Sequence, residues 1–528
     1  MPEQTRIRLP IPLKPTFTTV FIVIACVYML FQPPEFNTTD GAVRDLTARN
    51  LYYHGDLALR QVEEGEYLNN LWTIGRDGRP YIYFGIGQSL MQLPFLAALD
   101  LAKKIGVAKY LSPSDALPTS AVMIISSSLI VAFAFGIVQK LGYSSRTALK
   151  TASLVAFGSI LWGLSRQSYD MVQATMGVFG ALYFIVSAQI SSEQRWAKCF
   201  AAGLIYGVAI VTRASAITAG PALGLLVLGS PAWESHQNRI KAAMWCIAGG
   251  LAIVWIIPLY NYLRFEDIFV FGYTGHAPYP GAPILPGLAR WLFSPWQGMF
   301  IYMPILFALP IVARRFRRKH SFLLAVLGLL FVSDLIFHAQ YSGLGLYGWG
   351  PYYILNGILP LFIIFAEFFH KPQVFARWHR ALIGALTALT ILLQAPSLIV
   401  PTERYQSYLA SQNITGSSDT LVWSLEWWPL RMQTEGALTA IRNLPDWQNY
   451  LDTPSSYDAP TLLRELFSYN LPDWWWLYRL LHGGELGLIV PLLAIFGLAS
   501  LSFWTFHPAF RHEAVRESQR SRTYVAEI

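Results

Sequence analysis

Apolar runs of bilayer-crossing length recur along the chain. They lie at about 118 to 139, 149 to 165, 171 to 190, 199 to 213, 215 to 229, 241 to 261, 298 to 313, 321 to 339, 351 to 369, 379 to 399 and 484 to 506. An earlier run from Phe17 to Phe31 ends at Gln32-Pro33-Pro34 with no small-residue cleavage site after it, so it predicts a first helix that stays in the protein. Eleven runs and this one make about twelve spans, an all-α polytopic membrane fold. The stretch Tyr81 to Ile105 is also apolar, but it carries Gln88, Gln92, Pro94 and Asp100 and ends in Lys103 and Lys104. It predicts an interfacial amphipathic helix rather than a span.

The polar connections alternate in character. With a cytoplasmic N-terminus, the inside connections hold Lys140, Arg146 and Lys150; Arg195 and Lys198; Arg239 and Lys241; Arg314 to Lys319; Lys371, Arg377 and Arg380; and Arg511, Arg516, Arg520 and Arg522. Every inside connection is basic, as the positive-inside rule requires, and the C-terminus is cytoplasmic too. The external face then receives a first loop over 33–117, a late loop over 400–483, and shorter segments over 262–297 and 340–350. The expected organisation is a transmembrane module over 1–399, a Trp-rich external loop over 400–483, and a last helix with a basic tail over 484–528.

Composition agrees with this reading. Hydrophobic residues make up 54% of the 528, charged residues only 13%, and mean hydropathy is +0.38, more apolar surface than a soluble chain hides. The net charge, 39 − 31 = +8, lies in short clusters between apolar runs, which fits topology and not a nucleic-acid-binding face. Cys26, Cys199 and Cys246 have no metal-ligand or redox spacing. No phosphate-binding glycine loop, HExxH or GxSxG is present, which argues against nucleotide-driven chemistry.

Candidate chemistry gathers on the external side. Asp40 opens a helix just past the first span, with Thr38 or Thr39 as cap, Arg44 one turn on and Asp45 beside it. A carboxylate there serves as a general base, as a divalent-cation ligand, or simply as an N-cap. Asp170, in the turn Arg166-Gln167-Ser168-Tyr169-Asp170, either faces Asp40 across a cavity or caps the next helix. Arg213 costs on the order of 3 kcal/mol at membrane depth, so it needs a cavity or a counter-ion, either a phosphate or Asp170. Arg264 and Arg290 are further external guanidiniums suited to phosphate, with Glu266 or Asp267 as structural partners for Arg264. Asp334 and His338 lie one turn apart within a span and either act functionally or join helices. Trp474 to Trp476 read as an interfacial belt or as a stacking surface for sugar or polyprenyl.

The order of these motifs resembles the GT-C superfamily of polyprenyl-phosphate-sugar-dependent glycosyltransferases, which includes protein mannosyltransferases and lipid A aminoarabinose transferases. The resemblance covers roughly residues 16 to 400. It rests on TTDGAVRDLTARNLYYHGDLAL, YIYFGIGQSLMQLPF, RQSYD, GLIYGVAIVTRASAI, YNYLRF, LFSPWQGMF and YGWGPYYILNGILP. It implies a GT-C-like bundle with external juxtamembrane helices in the first loop. Asp40 would be the catalytic base of an inverting transfer from a polyprenyl-phosphate sugar, and Asp170 an auxiliary acid. Arg44, Arg213, Arg264 and Arg290 would hold the carrier phosphate, while Tyr83, Gln88, His338 and Tyr352 would contact the acceptor (a glycan, lipid or protein) or membrane lipid. A divalent cation, Mg or Mn, is admitted at Asp40.

Two departures stand out. The family's acidic pair is replaced by Asp40-Gly41, and Gly350-Pro351 is followed by Tyr352 where relatives carry arginine. The sequon Asn37-Thr38-Thr39 directly precedes Asp40, and a glycan there would obstruct the site, which favours a bacterial inner membrane. A transporter or flippase of lipid-linked glycans, and a glycan polymerase or ligase, are the competing classes. The absence of a convincing internal repeat disfavours transport.

Overall fold

The computed structural model describes residues 15–34, 36, 38–63, 71–106, 116–273, 279–342, 348–402, 419–450, 471–481 and 488–506. Asn37 of the sequon, the four C-terminal arginines and much of the 400–483 segment lie outside the described residues.

Helix α1 (Phe17–Met29) starts at a Thr16–Thr19 capping box. Its 13 residues rise about 20 Å, short of a ~30 Å hydrocarbon core. Helix α2 (Thr39–His54) begins at the Thr38 cap and closes on the left-handed Gly55. A hairpin of β1 (Trp72–Ile74) and β2 (Pro80–Ile82), with Thr73 opposite Tyr81, leads into α3 (Gly87–Lys104). The non-spanning stretch therefore begins as a strand. Its helix buries Gln88, Ser89 and Gln92 and exposes Leu101, with Ile105 exposed just past its end.

The core follows: α4 (Leu117–Lys140), α5 (Ser145–Phe157), α6 (Asp170–Ile190), α7 (Arg195–Thr212), α8 (Gly220–Leu228), α9 (His236–Val254) and α10 (Ile256–Phe265). After α11 (Ile284–Phe293) come α12 (Leu309–Ala339), α13 (Leu355–Leu361), α14 (Ala366–His370), α15 (Arg377–Gln394), α16 (Pro429–Asn443), α17 (Trp475–Leu481) and α18 (Ile489–Phe506).

Among the described residues, seven helical stretches are long and apolar enough to cross a membrane: Leu117–Lys140, Asp170–Ile190, Arg195–Thr212, His236–Phe265, Pro304–Ala339, Tyr352–His370 and Arg377–Leu398. The protein is thus a polytopic helical membrane protein; of the other expected spans, those at 17 to 31, 149 to 165 and 215 to 229 are shorter or broken helices, and the one at 484 to 506 is described only over Ile489–Phe506. The run at 149 to 165 stops at Phe157 and resumes only as the single turn Leu161–Leu164. The two runs flanking Arg213 are separated by its extended backbone, φ −147°. The basic residues Arg314 to Lys319, expected as a loop, are helical, and the break falls at His320.

The helices order the molecule from end to end. Helix α4 begins where Thr119 Oγ1 donates to Asp45 of α2 (3.3 Å), and α6 begins at Asp170, so both start at one end and run about 30 Å or more to the other. At that far end Lys319 pairs with Glu367, Arg195 pairs with Glu234, and Lys241 lies over the Trp196 ring. The predicted basic residues Arg195, Lys241 and Lys319 therefore lie opposite Asp40.

Candidate active site

Three segments meet at the Asp40 end. At the start of α2, Thr38 Oγ1 accepts from the Gly41 amide (3.0 Å), and the free amides of this first turn favour a negative group at Asp40. Gly41 lies flat against the turn before α6. A Cβ there would fall 2.2 Å from Ser168 Cβ and 2.7 Å from Thr38 Oγ1, so no second acidic side chain fits beside Asp40. Close packing of the α2 backbone against the side chains of Ser168 and Thr38 is what keeps this position free of a side chain.

Arg44, one turn along α2 and fully buried, reaches across. Its Nη1 donates to Ser168 O (3.3 Å), its Nη2 donates to Asp170 Oδ2 (3.1 Å), and Asp40 Oδ2 lies 3.6 Å from the same nitrogen. Phe84 packs under the guanidinium at 4.1 Å. Arg213, at the end of α7, completes the cluster: Nη1 donates to Asp170 Oδ1 (2.8 Å), Nε donates to Ser215 Oγ (2.9 Å), and the group lies 5.0 Å from the Tyr353 ring. Two carboxylates and two guanidiniums thus form a formally neutral network in which Asp170 has an arginine on each oxygen.

The four members differ in reach. The side chains of Arg44 and Asp170 are 0% and 4% exposed, Arg213 is 18% exposed, and Asp40 keeps 29%. Asp40 is the carboxylate open to a ligand. Its concave surroundings still strip water from it, and this desolvation, helped by Asp170, holds its pKa above the ordinary carboxylate value despite Arg44 and Arg213.

Tyrosines line the approach. Tyr83, Tyr352 and Tyr353 lie within electrostatic range of Asp40, and Tyr273 within range of Asp170 and Arg213. Tyr83 packs on Tyr273 (5.4 Å between centroids), and Tyr352 stacks on Tyr169 (4.8 Å). Beside them lies a shallow depression lined mostly by apolar and aromatic residues, including Ile210, Val211, Ile257, Tyr83 and Tyr273, with Arg264 also in its lining.

The remaining expected residues sit as follows. Gln88 Nε2 donates to Ser168 O (3.4 Å), beneath the cluster. Arg264 spends its donors on Ile82 O (2.6 Å), Asn261 Oδ1 (2.9 Å) and Tyr260 O (3.2 Å), stapling the β-hairpin to α10 rather than pairing with Glu266 or Asp267. Arg290 donates to Tyr341 O (3.1 Å). His338 Nδ1 faces Asp334 of its own helix, at 2.9 Å from the carbonyl and 3.3 Å from Oδ1. It is Asp334 that joins helices, accepting from Thr218 Oγ1 (2.9 Å) and the Gly357 amide (3.0 Å).

Among the described residues no group of three or more His, Cys, Asp or Glu could hold a metal ion. Asp170 is already bound by two arginines, so the donor set does not fit a divalent cation. Sequence reasoning did not single out Ser168, Tyr273 or Tyr353. Tyr353 lay inside the quoted YGWGPYYIL motif and Ser168 inside RQSYD, while Tyr273 carried no local signal.

No family model matches the chain, and no curated protein matches it. Among solved structures it is similar to ArnT from Cupriavidus metallidurans bound to undecaprenyl phosphate. That match has 13% identity and a TM-score of 0.49, and covers 94% of this chain and 77% of that one. It is also similar to the Archaeoglobus fulgidus oligosaccharyltransferase in the apo form, with 13% identity and a TM-score of 0.40, over 84% of this chain and 61% of that one.

Proposed function

We propose that the chain is an integral membrane glycosyltransferase that moves one sugar from a polyprenyl-phosphate carrier to an acceptor hydroxyl, inverting the anomeric centre. The observation that carries this reading is the Asp40 carboxylate, open to a ligand and held at a helix N-terminus 3.6 Å from a buried guanidinium, beside a shallow depression with a mostly apolar lining.

Each part has a chemical task. Asp40 takes the proton of the acceptor hydroxyl as its oxygen bonds to the anomeric carbon. The bond from that carbon to the phosphate oxygen breaks with the electron pair going to the phosphate, which leaves with increased negative charge. Fixed cations in a site poor in water stabilise that charge most. Arg213 is the better placed of the two cluster arginines, being partly exposed, while Arg44 acts from behind. Asp170, with both oxygens engaged, holds the two guanidiniums in place. The depression takes the polyprenyl end, Arg264 and Arg290 serve as further cations at the site's edge, and Tyr83, Gln88, His338 and Tyr352 shape the acceptor and lipid surroundings.

The collection of basic residues opposite Asp40 supports an active site on the external face with both termini cytoplasmic, and the sequon Asn37-Thr38-Thr39 beside Asp40 favours a bacterial inner membrane.

The test is mass spectrometry of surface glycans and polyprenyl-linked sugars in a host lacking the gene, complemented with wild type or Asp40→Asn. The expected result is one sugar missing from a glycoconjugate, its carrier-linked donor accumulated, and restoration by wild type alone. Full restoration by Asp40→Asn overturns the assignment and moves a transporter reading ahead. Long or block-transferred chains point instead to a polymerase or ligase.

A further inference from the structure

The proposed chemistry depends on two chain turns, one leading from α1 to Asp40 and one leading to Asp170. Both are held by a segment distant in sequence. Arg166, four residues before Asp170 and 1% exposed, points inward and forms an ion pair with Asp473, itself 3% exposed. The same guanidinium donates to Ser397 O (3.1 Å) at the end of α15 and to Asp473 O (3.4 Å). The Asp473 amide donates to Ile399 O (3.1 Å), and Trp474 Nε1 donates to Leu398 O (2.6 Å).

The next two residues act on the other turn. Trp475 Nε1 donates to Met29 O (3.3 Å), which also accepts from the Gln32 amide (3.4 Å), and Trp476 Nε1 donates to Leu30 O (2.8 Å), both carbonyls lying where α1 ends. The Trp475 amide donates to Gln32 O (3.1 Å), and Gln32 Nε2 donates to Ser165 O (3.0 Å), tying one turn to the other. Phe31 fills the space between Trp162 (5.6 Å) and Trp474 (6.1 Å). The three indole N–H groups are therefore all spent on backbone carbonyls, a use that neither a membrane belt nor a sugar-stacking surface requires.

We infer that Asp473-Trp474-Trp475-Trp476 is a brace that sets the separation of Asp40 and Asp170: Asp473 and Arg166 are positioning residues, touching no reacting group yet fixing the turns that carry two. The chemistry favours a charged bond here. A buried guanidinium ringed by carbonyls and one carboxylate has a single low-energy arrangement, and removing the carboxylate leaves an uncompensated charge. Geometry at a reacting centre is steeply valued, since a displacement of about 1 Å costs on the order of 10²-fold in rate.

This inference rests on the transferase reading for its consequence, and the test separates the two. Hydrogen–deuterium exchange on the full-length protein in detergent compares wild type with Asp473→Asn, alongside steady-state transfer kinetics. The expected outcome is faster exchange confined to peptides over 29–42 and 163–170. Transfer should show kcat about 10²-fold lower, KM for the carrier-linked donor unchanged, and partial recovery in Asp473→Glu. Should Asp473→Asn fail to fold, Trp476→Phe removes one bond to the α1 end and should loosen the 29–42 peptides alone. Unchanged exchange overturns the brace whatever the protein catalyses. Faster exchange with an unchanged kcat overturns its positioning role. Failure of the transferase reading, seen as an active Asp40→Asn, leaves the exchange result to stand or fall separately.

Discussion

Each end of the bundle buries a carboxylate beside a cation, and the two are built differently. At the far end, Glu367 accepts from Lys319 Nζ on both oxygens (2.9 and 3.0 Å) and from Tyr143 Oη (2.9 Å), with the His320 and His370 rings packed on Tyr143. Every acceptor is filled, and the only half-exposed member is the lysine. At the near end Asp170 is filled in the same way by two arginines, but Asp40 stands beside the network with 29% of its side chain exposed. A buried ion pair is therefore common to both ends of this protein. What sets the near end apart is a carboxylate kept close to buried cations and left open on one side.

The strongest way to break this comparison is Asp40→Asn. Transfer should fall by about 10² to 10⁴-fold, while the melting temperature of the purified protein is retained. The sign of the stability effect follows from the raised pKa. A carboxylate raised in the folded state binds protons more readily there than when unfolded. Its stabilising contribution is present below the unfolded pKa and is lost as pH rises through the folded one. At neutral pH ionised Asp40 opposes folding, so Asp40→Asn should melt at the wild-type temperature or above it. A large drop would make Asp40 structural.

Asp170→Ala should fail differently. It removes the carboxylate of Arg213 and leaves the buried Arg44 with Asp40 alone at 3.6 Å, and a loss of about 3 to 5 kcal/mol is expected, read as a much lower melting temperature together with lost transfer. Gly41→Ala should cost about 1 to 3 kcal/mol by overpacking against Ser168, and Ser168→Gly in the same chain should recover part of it. The acid limb of kcat/KM reports the base. It should lie above the ordinary carboxylate range, with rate falling about tenfold per pH unit below it, and a limb within or under that range would contradict the desolvated setting of Asp40. The smallest effect is expected at the far end, where Glu367→Gln leaves a lysine that water still reaches. Transfer should be unchanged and stability lowered by no more than about 1 kcal/mol.

Local pattern carried much of this. Hydropathy located the long helices, charge located the basic end, and the Thr38 cap with Asp40 and Arg44 one turn apart was legible because capping and the spacing of four are short-range properties. Helix count was less legible. Apolar content does not reveal a broken backbone, so Phe157, Arg213 and His320 read as interior or loop positions when each ends or interrupts a helix. The partner of Arg213 was half legible, Asp170 being one of the two expected, but the fates of Arg264 and Arg166 were not. Arg264 and Arg166 are held chiefly by backbone carbonyls, and since every residue has one, no residue type announces an acceptor.

What the sequence by itself determined is therefore the helical membrane fold, its basic end and an acid at a capped helix start. Only the tertiary structure decided that Asp170 lies between Arg44, 126 positions away, and Arg213, 43 away, and that Arg166 is met by Asp473 across 307 positions. The physical reason is range. Periodicity and capping act within a turn or two of helix. Which buried charge meets which is settled by packing between helices, where the penalty for leaving a charge unpaired selects the arrangement.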